Sequence, residues 1–174
     1  MQAWEQEYVD YVTARIPALR RLGLRLCGDE STADDLIQQT ITTLYVKWKR
    51  ISIVEDLDAY VRAMVVRAFL SEKRRPWSRV ARFEFPPDRP NRDETDEGVV
   101  ADRIVLRSAL ARIPPRQRTV LVLRFLCDLP VDEVATLMRC STGTVKSQTS
   151  RGLAALRRLL ADVPQNAPET WSLT

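Results

Sequence analysis

Small hydroxylated and basic side chains cluster at the start of a long helical pattern near the carboxyl end of the chain, CSTGTVKSQTSRGLAALRRLL over residues 140–160. Hydroxyls can donate or accept hydrogen bonds, an arginine can read guanine with two bonds, and a lysine can contact phosphate or guanine. Bulky side chains would hold a helix away from base edges, so small ones suit a helix that enters the major groove. The candidate nucleic-acid-binding residues on this face are Thr144, Lys146, Ser147, Ser150 and Arg151.

A pair of short amphipathic helices would have to position that face. The segment VDEVATLM, residues 131–138, predicts a first helix, and Ala135 is small where two helices would cross closely. A three-residue turn follows, in which Ser141 or Thr142 can cap the second helix. Arg139 stands in this turn where Gly, Asn or Asp would better tolerate a left-handed backbone. The residues expected to be buried are Val131, Val134, Leu137 and Met138 in the first helix, and Val145, Thr149, Leu153, Leu156 and Leu160 in the second.

This pattern has the form of a helix-turn-helix, and the charge distribution favours a nucleic-acid partner for it. Residues 106–160 carry ten basic and three acidic side chains, whereas residues 1–75 carry twelve and eleven. A basic unit within a chain of net charge +4 is typical of a polyanion-binding domain. An ordinary antiparallel helix pair with a solvated basic face remains the alternative.

The amino-terminal part of the chain predicts three helices. The first covers residues 4–27, with Pro17 expected to kink or break it and Gly28 to end it. Ser31 and Asp34 predict a capping box for the second, which runs to about Lys49. A third helix is expected near residues 57–73. On the second helix Asp35, Gln38, Gln39 and Thr42 form a polar stripe opposite the apolar face, which suits a protein partner better than plain solvation.

The organisation that follows is all-α, with two small helical domains joined by a flexible linker. The predicted domains are residues 1–75 and 105–162, separated by a proline-rich and acidic linker at 76–104 and followed by a disordered tail at 163–174. Further helices are expected at about 101–112 and from Pro114 onward. A long surface loop inside one domain is the alternative to the linker.

Several function classes find no support in the composition. The chain has no histidine and three widely spaced cysteines, so we expect no metal site, no cofactor and no disulfide framework. There is no phosphate-binding glycine loop and no nucleophile motif, and we therefore expect no catalytic residues. No apolar run of about 20 residues predicts a membrane span. These features predict a cytoplasmic protein.

Two blocks of the sequence resemble the extracytoplasmic-function (ECF) sigma factors of the sigma-70 family, and the similarity is greatest to their SigE-like branch. The segments GDESTADDLIQQTITTLYVKWKRI and DAYVRAMVVRAFLSEKRR are similar to region 2, and LARIPPRQRTVLVLRFLCDLPVDEVATLMRCSTGTVKSQTSRGLAALRRL is similar to region 4. Together they cover about residues 4–75 and 105–160. The resemblance implies a sigma factor that directs RNA polymerase core to promoters, with region 2 on the β′ clamp helices and the −10 element and region 4 on the −35 element and the β flap.

The resemblance also assigns roles to individual residues. It implies core-polymerase binding by Asp35, Gln38, Gln39 and Tyr45, and −35 readout by Lys146, Ser147, Ser150 and Arg151. It implies that Arg116 and Arg118 contact −35 phosphates. Two positions depart from the family pattern: Arg67 stands where Asn is common, which leaves −10 base reading there open, and Pro130 replaces the usual Ser cap.

Two other functions remain as alternatives. A dimeric DNA-binding regulator would use the same helix-turn-helix on a palindromic site, with the amino-terminal helices as a ligand or dimerisation domain. The second alternative is a protein-interaction module in which the helix-turn-helix no longer binds DNA. We expect the free protein to be a monomer, since no coiled-coil repeat is present, and the presence of an anti-sigma factor as partner is left open by the sequence.

Overall fold

The computed structural model describes residues 2–72 and 97–161, and these residues form helices joined by short turns. The all-α prediction is therefore confirmed. The residues between these ranges, with most of the predicted linker, and the predicted tail lie outside the described part of the chain. The helices are α1 (Ala3–Cys27), α2 (Glu30–Ile51), α3 (Leu57–Glu72), α4 (Glu97–Arg112), α5 (Pro115–Leu121) continued by a π-helical segment (Val122–Leu126), α6 (Val131–Met138) and α7 (Thr142–Ala161).

Helix α1 runs unbroken through Pro17, so the predicted break is wrong. Buried side chains on both sides of the proline, Val12 before it and Leu19 and Leu22 after it, pack on the rest of the amino-terminal unit. Packing of an amphipathic face contributes more to helix stability than a single missing hydrogen bond removes. The end of α1 is as predicted: Gly28 takes the left-handed conformation at φ 91°, and its N–H donates to the Leu24 carbonyl at 2.8 Å.

The start of α2 differs from the prediction. Asp29 is the N-cap, and its carboxylate accepts a hydrogen bond from the Thr32 N–H at 2.8 Å. The predicted capping box of Ser31 and Asp34 does not form, because the helix begins two residues earlier than that box requires. The Asp34 carboxylate instead receives two hydrogen bonds from Arg20 on α1, at 2.7 and 2.9 Å.

The amino-terminal unit, α1–α3, is built around the apolar face of α2. Leu36, Leu44 and Trp48 are buried between α1 and α3. Aromatic side chains close one end of this core, with Tyr8 packed edge-on against the Trp48 ring at a centroid distance of 5.4 Å. The same Tyr8 hydroxyl donates to the Ile41 carbonyl at 2.9 Å, which fixes α1 on α2.

The carboxy-terminal unit, α4–α7, starts earlier than predicted. Helix α4 begins at Glu97, whereas the sequence placed the helix start at 101 and kept residues up to 104 in the linker. Helix α6 has the predicted bounds, with Pro130 at its N-cap position. A small core of Leu110, Ile113 and Leu121 joins α4, α5 and α7.

The two units share one continuous apolar core in the described structure. The cluster that contains Phe69 of α3 also contains Val120 and Leu123 of the carboxy-terminal unit and Val134 of α6. Helix α3 packs against α5 and α6, and α1 packs against α4 and α5. The two units thus lie against each other rather than apart.

Candidate nucleic-acid interface

The turn between α6 and α7 has the geometry that the sequence predicts. Arg139 adopts the left-handed conformation with φ 50°, although it is not the residue best suited to it. The Cys140 N–H donates to the Ala135 carbonyl at 3.0 Å, which closes the end of α6. Ser141 caps α7, because its hydroxyl accepts a hydrogen bond from the Thr144 N–H at 3.1 Å. The turn is therefore fixed by its own hydrogen bonds.

One face of α7 is polar, small and open. Lys146, Ser147, Ser150 and Arg151 are exposed, and Thr144 is half-buried. Two of the hydroxyls are held locally: Ser147 donates to the Thr144 carbonyl at 3.0 Å, and the Thr144 and Ser141 hydroxyl oxygens lie 2.9 Å apart. These oxygens keep lone pairs that can accept from a base or a phosphate-bound water. The five candidate residues are thus brought together on one side of the helix.

The opposite face of α7 packs on α5, with one correction to the predicted burial. Val145 and Gly152 are buried, and Thr149, Leu153 and Leu156 are half-buried. Leu160 was expected in the core but is 37% exposed, and Leu159 packs against the core in its place. The buried series 145, 149, 152, 156, 159 follows the helical period more closely than a series that ends at 160.

Two arginines near the start of α5 lie in different surroundings. Arg116 is exposed on the first turn and remains available to a phosphate. Arg118 is 5% exposed, so its side chain is not available for the predicted phosphate contact in this arrangement of the two units. Its guanidinium donates to the Leu26 carbonyl at 2.6 Å and to the Ala111 and Ile113 carbonyls at 2.5 and 3.1 Å. The side chain points into the junction of the two units, where its acceptors lie, and is not on the exposed polar face of α7.

Burial affects the ionisation of Arg118. Desolvation lowers the pKa of this guanidinium to about 10, with a small opposing effect from Cys27. The group stays protonated at neutral pH, because a pKa of about 10 is still well above 7. Its Nε atom is buried without a hydrogen-bond partner in the described structure. A buried cation that donates hydrogen bonds to the carbonyls of two helix ends stabilises the packing of those helices against each other.

The polar stripe of α2 is accessible along its length. Asp35, Gln38 and Gln39 are exposed, and Tyr45 is 42% exposed at the far end. The Tyr45 ring lies 5.0 Å from that of Tyr8 and 5.4 Å from that of Trp4, centroid to centroid. Tyr45 therefore presents one side to solvent while the aromatic cluster holds the other.

Several side chains beside these surfaces make contacts with residues that are far apart in the chain. Lys49 lies over the Trp4 ring, 4.8 Å from its centroid, next to the exposed end of α2. Arg25 of α1 donates to the Leu126 carbonyl at 3.0 Å, across 101 residues of chain. Arg67 is half-buried on α3, and its buried Nε has no hydrogen-bond partner within the described residues. Helical periodicity cannot identify contacts between residues this far apart.

Residues 2–72 and 97–161 hold no group of three or more histidine, cysteine or acidic side chains placed to bind a metal ion. Among the same residues no helix has the length and apolar character that a bilayer span requires.

Comparison with known proteins matches both halves of the chain to one family. The model for sigma-70 region 2 matches residues 11–79, and the model for sigma-70 region 4 matches residues 103–156. The RNA polymerase sigma-E factor of Streptomyces coelicolor is 35% identical over 159 residues, which cover 88% of this chain and 86% of the relative. The ECF RNA polymerase sigma factor SigL of Mycobacterium tuberculosis is 27% identical over 157 residues, covering 83% and 84%.

The fold is also that of solved structures. The sigma factor RpoE from Bartonella quintana, solved in complex with the anti-sigma factor NepR, matches with a TM-score of 0.72 at 22% identity, over 90% of this chain and 98% of that one. CnrH, solved in complex with the cytosolic domain of CnrY, matches with a TM-score of 0.59 at 19% identity, over 91% of each chain.

Proposed function

The chain belongs to the extracytoplasmic-function group of the sigma-70 family, and from this premise we propose how its two helical units divide the work of promoter recognition. It is an alternative sigma factor that directs RNA polymerase to initiate transcription. What we propose is which surfaces and residues of the chain contact promoter DNA and core polymerase. The observation that carries it is the open, small and basic face of α7 on a helix-turn-helix whose turn is fixed by its own hydrogen bonds.

Helix α7 is the −35-reading element in this proposal. Arg151 and Lys146 supply the long basic side chains for base edges and phosphates, and Thr144, Ser147 and Ser150 keep the helix backbone close to the groove. Arg116 contacts a phosphate of the same element, because it is exposed at the start of α5. Arg118 is left out of this proposed surface, because its side chain is buried in the described structure.

The amino-terminal unit carries the contacts to core polymerase. The exposed stripe of Asp35, Gln38 and Gln39, with Tyr45 at its end, binds the β′ clamp helices through hydrogen bonds and one carboxylate. The same unit opens the −10 element, and region 4 also contacts the β flap. The catalytic chemistry belongs to the polymerase, so the chain has no catalytic site and no cofactor of its own. The proposed domains are the units α1–α3 and α4–α7, and the second begins at Glu97, before the predicted boundary at residue 105.

Further partners follow from the relatives. RpoE and CnrH were solved with the partner proteins NepR and CnrY, and NepR is an anti-sigma factor. An anti-sigma factor is therefore a proposed partner of this chain also. The proposed location is the cytoplasm, where RNA polymerase works, and the free protein is a monomer.

The experiment is a direct test of polymerase dependence. The purified chain is mixed with core polymerase, and run-off transcription on genomic fragments is followed by permanganate footprinting of unpaired bases. A single module buries only about 600–1,000 Å² on DNA, so the free protein should bind promoters weakly at physiological salt. Core polymerase should add specific −35 protection and open bases near −10, since tethering raises the effective concentration of both units.

One result of this experiment would contradict the proposal. Tight binding of the free protein to a palindromic site, with no effect of core polymerase, would identify a dimeric regulator and overturn the proposal.

A further inference from the structure

Arg118 holds the ends of two helices that belong to different units. One terminal nitrogen donates to the Leu26 carbonyl at 2.6 Å and lies 3.4 Å from the Cys27 carbonyl, both at the end of α1. The other donates to the Ala111 carbonyl at 2.5 Å and the Ile113 carbonyl at 3.1 Å, at the end of α4. The last carbonyls of a helix have no partner within it, and a cation there is favourable. This buried guanidinium has all of its carbonyl acceptors only when the two units are packed against each other.

Two other arginines reach across the same junction. Arg25 of α1 donates to the Leu126 carbonyl of the π-helical segment at 3.0 Å. Arg107 of α4 is half-buried within electrostatic reach of Glu30, at the start of α2. These contacts surround the turn between α1 and α2, next to the shared apolar core. The guanidinium carbon of Arg118 also lies 5.8 Å from the centroid of the buried Phe69 ring of α3.

The closed arrangement of the two units conflicts with simultaneous promoter contacts. By their numbering the −35 and −10 elements lie about 25 base pairs apart, which corresponds to roughly 85 Å at 3.4 Å per pair. Helix α1, the longest in the described part of the chain, has 25 residues and spans only about 37 Å at 1.5 Å per residue. Two units that share a core cannot reach both elements. The chain between Glu72 and Glu97 is long enough to let them separate, since about 24 residues could extend to roughly 80 Å.

We propose that Arg118, assisted by Arg25, is an interdomain latch that holds the free sigma factor closed and unable to bind both promoter elements. The inference rests on the proposed function, because it assumes that core polymerase binds the open form. Opening transfers the Leu26 and Cys27 carbonyls to water and removes half of the acceptors of Arg118. Core polymerase then shifts the equilibrium by binding the open form more tightly.

The test uses Cys27 as a reporter of opening. This residue is 2% exposed beside the latch, so alkylation by N-ethylmaleimide, followed by peptide mass spectrometry of the full chain, measures how often the junction opens. The variants are Arg118→Lys, which keeps the charge but cannot donate to two helix ends, and Arg25→Ala, which removes a bond between the units. Arg21→Ala is the control, because Arg21 is an exposed arginine on the same helix.

Each latch variant should accelerate alkylation of Cys27 about tenfold, the size expected for one charge-assisted hydrogen bond, and the control should match wild type. Both variants should also bind core polymerase more tightly, because a larger fraction is already open. Unchanged alkylation in both variants, with native circular dichroism, would overturn the proposal. So would acceleration that only follows a loss of global stability in urea, since Arg118 would then stabilise the fold as a whole.

The two proposals fail in different ways. An excess of core polymerase should itself accelerate alkylation of Cys27 in the wild-type protein. Faster alkylation in the variants without any binding of core polymerase would leave the latch in place and overturn the proposed function. Binding of core polymerase with no change in alkylation of wild type or variants would overturn the latch alone.

Discussion

Gly152 of α7 lies directly against Leu121 of α5, where a Cβ added to the glycine would come within 3.1 Å of the leucine side chain. Both residues are buried, and the backbone of α7 lies close to α5 at this point. This contact fixes the distance between α7 and α5 at Gly152. Gly143, at the start of the same helix, meets only the Ser141 hydroxyl, at 3.8 Å.

The two glycines should respond differently to alanine. Gly143→Ala should raise the free energy of unfolding by up to about 1 kcal/mol, the helix-propensity gain of alanine over glycine. Gly152→Ala should be less stable than Gly143→Ala by about 1–3 kcal/mol, because the new methyl group overpacks the Leu121 contact. Urea denaturation of the two variants provides the comparison. Equal gains at both sites would mean that Leu121 moves aside freely.

Arg151 should determine one position of the −35 element. Arg151→Ala should lose about 1–3 kcal/mol of discrimination at a single base pair, the value of a good bidentate contact. Selection from a randomised promoter library with the polymerase holoenzyme measures it. Arg157→Ala serves as control, since Arg157 is exposed further along α7. Unaltered selectivity in Arg151→Ala would contradict the placement of this face in the major groove.

Arg116 should contribute affinity without sequence preference. Arg116→Ala should weaken binding evenly across promoter sequences and lower the slope of log affinity against log salt by about one, as expected for one lost phosphate contact. Titrations of promoter fragments at several salt concentrations measure this slope. A sequence-dependent loss would place Arg116 at a base edge instead.

The stripe on α2 should be sensitive to added charge. Gln38→Glu with Gln39→Glu should weaken binding to core polymerase, because two new carboxylates would have to be desolvated or placed against the partner's own groups. The matched control is Thr13→Glu with Ala14→Glu, which adds the same charge to an exposed face of α1. Binding is measured by fluorescence anisotropy and the fold by circular dichroism. Equal core affinity in the two double variants would remove the stripe from the interface.

Tyr11 should make stability depend on pH in the alkaline range. Burial, followed by its hydrogen bond to Asp58 at 2.9 Å, raises the pKa of the Tyr11 hydroxyl above its ordinary value of 10. Above pH 10 the unfolded chain releases this proton and the folded chain keeps it, so stability is complete below pH 10 and falls as the pH rises beyond it. Urea midpoints between pH 8 and 11 should show the decline.

Two variants test the origin of that decline. Tyr11→Phe should make the alkaline slope smaller, since the titrating group is gone. Asp58→Asn should reduce it in part, because the carboxylate that accepts from Tyr11 and pairs with Arg15 at 2.6 Å is removed. A wild-type slope retained in Tyr11→Phe would assign the pH dependence to another group.

Local features of the sequence determined the helices and most of their ends. Helix α6 has the predicted bounds, Gly28 ends α1, and Ser141 caps α7, because periodicity, a left-handed glycine and a capping hydroxyl act within a few residues. The polar faces of α2 and α7 also lie open as the spacing predicts. The order of the two blocks in the sequence was enough to indicate the family.

Tertiary structure decided what local patterns could not. Packing carried α1 through Pro17, and Asp34 pairs with Arg20 instead of capping α2. Arg118 stands in a polar segment whose sequence predicted a surface position, yet it donates to the Leu26 carbonyl at the end of α1, 92 residues away. A hydrogen bond between residues so far apart in the sequence cannot be predicted from helical periodicity. The formation of a helix depends on residues that are close together in the sequence. The burial of a charged side chain depends on which helix ends the tertiary fold places within hydrogen-bonding distance of it.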